Sequence, residues 1–114
     1  MSIISERIIA SRKRKIEARK KALQDDLQKA TDILINHYQV TRIILFGSMA
    51  RGKIRPGSDI DLIVEGLGDR FLEALCHCRR ECRADVDIKP IEGLEPWLKK
   101  LAMKNGRVVY ESGK

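Results

Sequence analysis

No apolar run in this sequence approaches the roughly 18 residues that a membrane-spanning helix requires, so no membrane partner is expected. The N-terminus, "MSIISERIIASRKRKIEARKK", lacks the uninterrupted apolar stretch and the small-residue cleavage site of a secretory signal. Cysteine is sparse and local. All three cysteines fall between Cys76 and Cys82, an odd set that cannot staple distant parts of a secreted fold. Reduced thiols fit a cytosolic protein, and the expected location is the cytoplasm. The same cysteines lack the paired C-x-x-C spacing of a structural zinc site. Phe71, Leu75, Cys78 and Cys82 step by four, three and four residues, which makes them one apolar stripe of a helix. Length is limiting too: 114 residues hold one core of modest size, and a second, substrate-holding domain is not expected.

Glycine and proline are absent from Ser5 to Tyr38, where Lys, Arg, Glu, Gln, Ala and Leu dominate, so this span reads as one long helix. Ile9, Ile16, Leu23 and Ala30 recur every seven residues, and Leu27 and Leu34 fill in the second half. That half, from Leu23 to Tyr38, is expected to pack on the core, while the first half projects or meets a partner. The heptad-like pattern permits pairing of helices between chains, so a homo-oligomer through this helix is allowed. Of the net charge of +7, residues 1–21 carry eight basic and two acidic side chains and hence +6. The chain therefore divides into a basic helical extension, 1–22, and a domain body, 23–114. A basic helix can neutralise nucleic-acid phosphates in a salt-dependent way. Aromatic residues for base stacking are absent from it, however, and a charged helix face is more often simply solvated.

Downstream the elements alternate. "TRIILF" is β-branched and apolar, the mark of a buried strand that Gly47 ends. "SMARGK" reads as a helical turn, and Pro56 and Gly57 stop it. "DIDLIVEG" alternates Asp59, Asp61 and Ile63 against Ile60, Leu62 and Val64, which puts both aspartates on one face of a strand. The cysteine-bearing helix over 71–83 follows, then "ADVDIKP", a strand with Asp85 and Asp87 on one face. A helix over 92–104, anchored on the core by Trp97, and a last strand "RVVYE" complete the chain. The order predicts a small α/β (α+β) domain with a mixed sheet and flanking helices, preceded by a long N-terminal helix.

Gly47, Gly52 and Lys53 match the G-x-x-x-x-G-K spacing of a phosphate-binding P-loop, but Ile54 stands where that loop needs a Ser or Thr for magnesium. Carboxylates are better placed for a cation. Asp59, Asp61 and Asp87 lie on strands that can be neighbours, and magnesium prefers carboxylate and phosphate oxygens. Gly47 lets the backbone approach a phosphate, and Ser48 offers a hydroxyl and an N–H at a helix start, where partial positive charge favours anions.

Gly47-Ser48, ten intervening residues and then Asp59-x-Asp61 resembles the signature of the DNA polymerase beta-type nucleotidyltransferase superfamily. "FGSMARGKIRPGSDIDLIV", followed by "VDI" at Val86 to Ile88 and by "GRVVYE", is similar to its minimal nucleotidyltransferase, or MNT, domains in particular. The resemblance covers roughly residues 25 to 112 and implies the nucleotidyltransferase fold. It also implies that Gly47 and Ser48 hold the β and γ phosphates of an NTP, and that Asp59, Asp61 and Asp87 form the magnesium site. Asp87 would act as third acid or base, a position for which Asp85 is the alternative. Arg51 would face the phosphates or brace the aspartate strand. MNT proteins of this size commonly accompany an all-helical HEPN toxin. The implied function is that of a magnesium-dependent antitoxin that transfers AMP from ATP to its HEPN-type partner. The alternatives are a toxin-binding module without turnover and a nucleic-acid-binding protein acting through the basic helix. His37 and His77 fall outside these motifs and are expected in packing or surface roles.

Overall fold

The computed structural model describes the backbone of residues 3–16 and all of residues 17–47, 49, 50, 52 and 59–112. Helix α1, Ile3–Tyr38, runs unbroken for 36 residues, as its freedom from Gly and Pro dictates. It ends where Gln39 takes a left-handed φ of 47°. The Gln39 and Val40 N–H groups close the last turn on the Ile35 and Leu34 carbonyls, at 3.1 and 3.3 Å. Among the described residues no helix is long and apolar enough to cross a membrane.

Four strands follow: β1 (Arg42–Phe46), β2 (Ile60–Glu65), β3 (Val86–Pro90) and β4 (Arg107–Glu111). They form a mixed sheet in the order β3-β2-β1-β4, in which β1 pairs antiparallel with both β2 and β4 while β2 and β3 run parallel. The parallel pair needs a crossover, supplied by a 3₁₀ turn at Gly68–Arg70 and α2, Phe71–Glu81. α3, Pro96–Asn105, joins β3 to β4.

Period-two alternation divides the strands between two faces. Ile43, Leu45, Ile60, Leu62, Val64, Val86 and Ile88 point to one side and pack with Leu23, Ala30, Leu34 and Tyr38 of α1 and with Ala74 and Cys78 of α2. The expected packing of the second half of α1 is thus observed. The side chains of Ile9 and Ile16 lie outside the described residues. Cys78 and Cys82 are buried on the predicted stripe, beside the partly buried Phe71 and Leu75, and Cys76 is exposed. Burial pushes the Cys78 thiol up to about 12, which leaves it an unreactive packing group. On the other side of the sheet, Ile44 and Ile63 meet Ile91 and Ala102, with Phe46 and Leu94 packed around them.

The C-terminal third departs from expectation at two points. The span 92–104 is not one helix: a 3₁₀ turn occupies Ile91–Gly93, and α3 begins at Pro96. Proline cannot donate at a helix start and disfavours the α conformation in the residue before it, so Glu95 is extended (φ −62°, ψ 148°). Nor does Trp97 anchor α3. It is 64% exposed, and the helix is held by the fully buried Ala102 instead. Gly106 seals that contact, since a Cβ there would lie 2.5 Å from Ile44 Cγ2 and from the Ala102 carbonyl.

Candidate active site

Asp61 and Asp87 are register partners on the parallel strands β2 and β3, so they stand side by side on the face opposite α1 and α2. Parallel neighbours are only about 4.8 Å apart. Asp59 is exposed and lies one residue before β2, two residues from Asp61. Asp85 is exposed and lies just before β3; its carbonyl accepts the Ile60 N–H at 2.8 Å, a backbone role that lines up the two aspartate strands.

Electrostatics marks Asp61 as the centre of this group. Burial raises its pKa above the usual carboxylate value, and the Asp87 and Asp59 charges add to the rise, while the Lys89 ammonium opposes it. Lys89 lies two residues beyond Asp87 on the same strand face and donates a hydrogen bond of 2.6 Å to Asp87 Oδ2. Negative charge gathered on a sheet face attracts the nearest cation. Sequence reasoning missed Lys89, although the alternation that places Asp85 with Asp87 places Lys89 there too.

The strand that precedes the glycine turn aims it at this group. Phe46 pairs in register with Asp61, so Gly47 begins directly beside that carboxylate. Gly47 has a φ of +84°, and a Cβ on it would come within 2.5 Å of Asp61 Oδ2. Only glycine fits both the turn and the carboxylate. Met49, Ala50 and Gly52 continue as a turn, with the Gly52 N–H bonded to the Met49 carbonyl at 3.1 Å and Met49 buried in the core. Ser48, Arg51 and Lys53 lie outside the described residues.

A groove of about 480 Å³ opens beside the turn, lined by Phe46, Gly47, Leu101, Lys104 and Asn105. Among the described residues no three His, Cys, Asp or Glu side chains are gathered into a metal-holding group by themselves. Magnesium does not require such a cage. It is held by one or two carboxylates together with phosphate oxygens and water, and a paired Asp61 and Asp87 beside a glycine turn is a donor set of that kind. Gly47 stands against the Asp61 carboxylate, while Lys53, the lysine of the P-loop spacing, lies outside the described residues.

Asp26, buried in α1, holds the scaffold from the far side. Its Oδ2 accepts the Arg83 and Ala84 N–H groups at 3.1 and 2.9 Å and so fixes the α2–β3 connection that delivers Asp87. His77 packs away from the site, with Nδ1 3.3 Å from the Tyr38 hydroxyl and its ring 4.9 Å from that of His37.

The fold is similar to that of known structures. A structure described as a minimal nucleotidyltransferase is 26% identical, with a TM-score of 0.62 over 76% of this chain and 92% of that one. A toxin-antitoxin crystal structure with AMP-PNP is 20% identical, with a TM-score of 0.63 over 74% of this chain and 73% of that one. A complex of tri-AMPylated Shewanella oneidensis HEPN toxin with MNT antitoxin is 19% identical, with a TM-score of 0.61 over 78% and 72%. At 20% and 19% the last two likenesses establish the fold alone. No curated protein matches the sequence significantly. The family model described as Polymerase beta, Nucleotidyltransferase matches residues 28–114, most of the chain, and the protein belongs to that nucleotidyltransferase family.

Proposed function

We propose that the protein is an antitoxin that transfers AMP from ATP to a side-chain hydroxyl of a HEPN-type toxin. The observation that carries this reading is the pairing of Asp61 with Asp87 beside the Gly47 turn, which sets a carboxylate pair against a backbone able to approach phosphates. The likeness to a complex containing an AMPylated HEPN toxin supports the acceptor, and the likeness to an AMP-PNP complex supports the nucleotide.

In this reading Gly47 and Ser48 bind the β and γ phosphates, with Arg51 facing them, and residues 23–114 form the catalytic unit to which 1–22 is appended. Asp59, Asp61 and Asp87 would hold magnesium, whose charge stabilises the oxygens entering and leaving the α phosphorus. Asp87 takes the proton of the acceptor hydroxyl. The acceptor oxygen bonds to the α phosphorus, the bond to the β-phosphate oxygen breaks, and pyrophosphate leaves with that electron pair. Lys89, which holds Asp87 Oδ2, must yield it for this step.

Mass spectrometry of the cognate HEPN protein after incubation with ATP and magnesium tests the proposal. An AMP adduct on the toxin is expected, and its persistence with Asp59→Ala plus Asp61→Ala would remove these residues from the chemistry. Neutralisation of the toxin by the double variant, with no adduct formed, would identify a binding module without turnover.

A further inference from the structure

We infer that the groove between the last turn of α3 and the Gly47 turn is the nucleoside subsite, with Phe46 and Leu101 as its apolar walls and Lys104 as the cation that pairs with the nucleotide's phosphates. This inference rests on the proposed nucleotide chemistry and adds α3 to it.

The position of α3 is set by contact rather than by a loose connection. Ala102 is fully buried against the sheet, and Gly106 presses on Ile44 and on the Leu45 carbonyl, just before Phe46 and Gly47 in β1. A side chain at Gly106 would push the helix off the strand. With Ala102 turned inward, Leu101, Lys104 and Asn105 fall on one adjacent helical face and border the groove. Trp97, one turn earlier than Leu101, extends the same stripe.

Chemistry favours a nucleotide as the occupant. At about 480 Å³ the groove falls within the usual range of small-molecule sites, and its walls combine apolar Phe46 and Leu101 with polar Lys104 and Asn105. Charge differs between the two elements that meet there. Gly47 of the groove adjoins Asp61, which shares its sheet face with Asp87 and Lys89, whereas α3 carries Lys99, Lys100 and Lys104 and no acid. A nucleoside triphosphate needs both: carboxylates for its metal ion and an ammonium for the phosphate oxygens that the metal does not neutralise. Leu101 is 37% exposed in spite of its neighbours, which leaves apolar surface for a base to cover.

Isothermal titration without magnesium, using ATP, adenosine and inorganic triphosphate, tests the assignment by binding alone. Leu101→Glu should weaken ATP and adenosine by about tenfold or more. Lys104→Glu should weaken ATP and triphosphate by about tenfold while adenosine changes less than about twofold. Lys104→Gln is the milder companion, and the helical content of each variant by circular dichroism establishes that α3 is intact. If the wild type binds ATP and these variants bind it equally well, the inference is overturned and the proposed function stands. If the variants keep ATP affinity but require more toxin for transfer, the groove belongs to the acceptor and the inference is again overturned. Failure of the wild-type protein to bind ATP would overturn the proposed function, and the inference with it.

Discussion

The two faces of the sheet are built to opposite standards. Toward α1 and α2, seven strand residues are buried against the two helices, and all seven are Ile, Leu or Val. Toward α3, Ile44, Ile63, Ile91 and Ala102 form a smaller buried cluster among the described residues, and Asp61, Asp87 and Lys89 share that face of the sheet. The two are separated by one residue of strand. In "DIDLIV", Ile60 and Leu62 build the dry face while Asp61 between them faces the groove side. Stability and chemistry are therefore separable by substitution, even within a single strand.

The largest effect should come from the dry face. Leu62→Ala removes a side chain that is 1% exposed and should cost about 2–5 kcal/mol, read from urea unfolding. Asp26→Ala comes next, because it leaves the Arg83 and Ala84 N–H groups without their acceptor and should cost about 1–3 kcal/mol. Asp26 lies on the opposite side of the sheet from the groove, so ATP affinity per folded molecule should be unchanged. A fall in that affinity at full folding would couple the two faces and break the contrast.

A pair of glycines sharpens it further. Gly47 and Gly52 both have positive φ, +84° and +73°, but among the described residues a Cβ at Gly52 meets nothing within 4 Å while one at Gly47 runs into Asp61. Gly52→Ala should cost only the backbone strain of the left-handed region, about 1–2 kcal/mol. Gly47→Ala carries the same strain and must also displace the Asp61 carboxylate, so it should lose the proposed AMP transfer while Gly52→Ala retains it. Equal transfer by the two variants would mean that the position of Asp61 does not matter to the reaction.

How much of this was legible in the sequence follows from the range of each signal. The alternation in "DIDLIV" and "VDIKP" is local, so the shared face of the acids could be read directly, and the long helix announced itself by what it lacks. The register that brings Asp61 to Asp87 is a tertiary fact: α2 must return the chain parallel to β2, and no spacing states which strand it joins. Trp97 shows the limit of composition. A large ring at helical spacing reads as core, but the close approach of Ala102 and Gly106 to β1 decides which side of α3 turns inward, and Trp97 lies off it. Asp26 sits beside Asp25 in "LQDDLQK", a polar stretch that looks solvated, and its buried bonds to 83 and 84 depend on where α2 ends. The groove on α3 was unreadable for the same reason, since its walls come from residues more than 50 positions apart in the chain.

The smallest expected effect is the one that isolates the active face. Burial, with Asp87 and Asp59 nearby, raises the Asp61 pKa above that of the unfolded chain. Between the unfolded value, about 3.9, and the raised folded value, the native state binds more protons than the unfolded one. Stability therefore falls as pH rises through that window and stays lowered at neutral pH. Asp61→Asn removes the penalty, so the variant should melt slightly above wild type at pH 7, with the advantage shrinking towards pH 4 and vanishing below it. Magnesium with ATP should raise the melting temperature of the wild type more than that of Asp61→Asn, because a bound cation offsets the charge that the Asn variant no longer carries. A variant that melts below wild type at pH 7 would mean that Asp61 serves the fold through its charge, and the separation of the two faces would fail at the residue where it is sharpest.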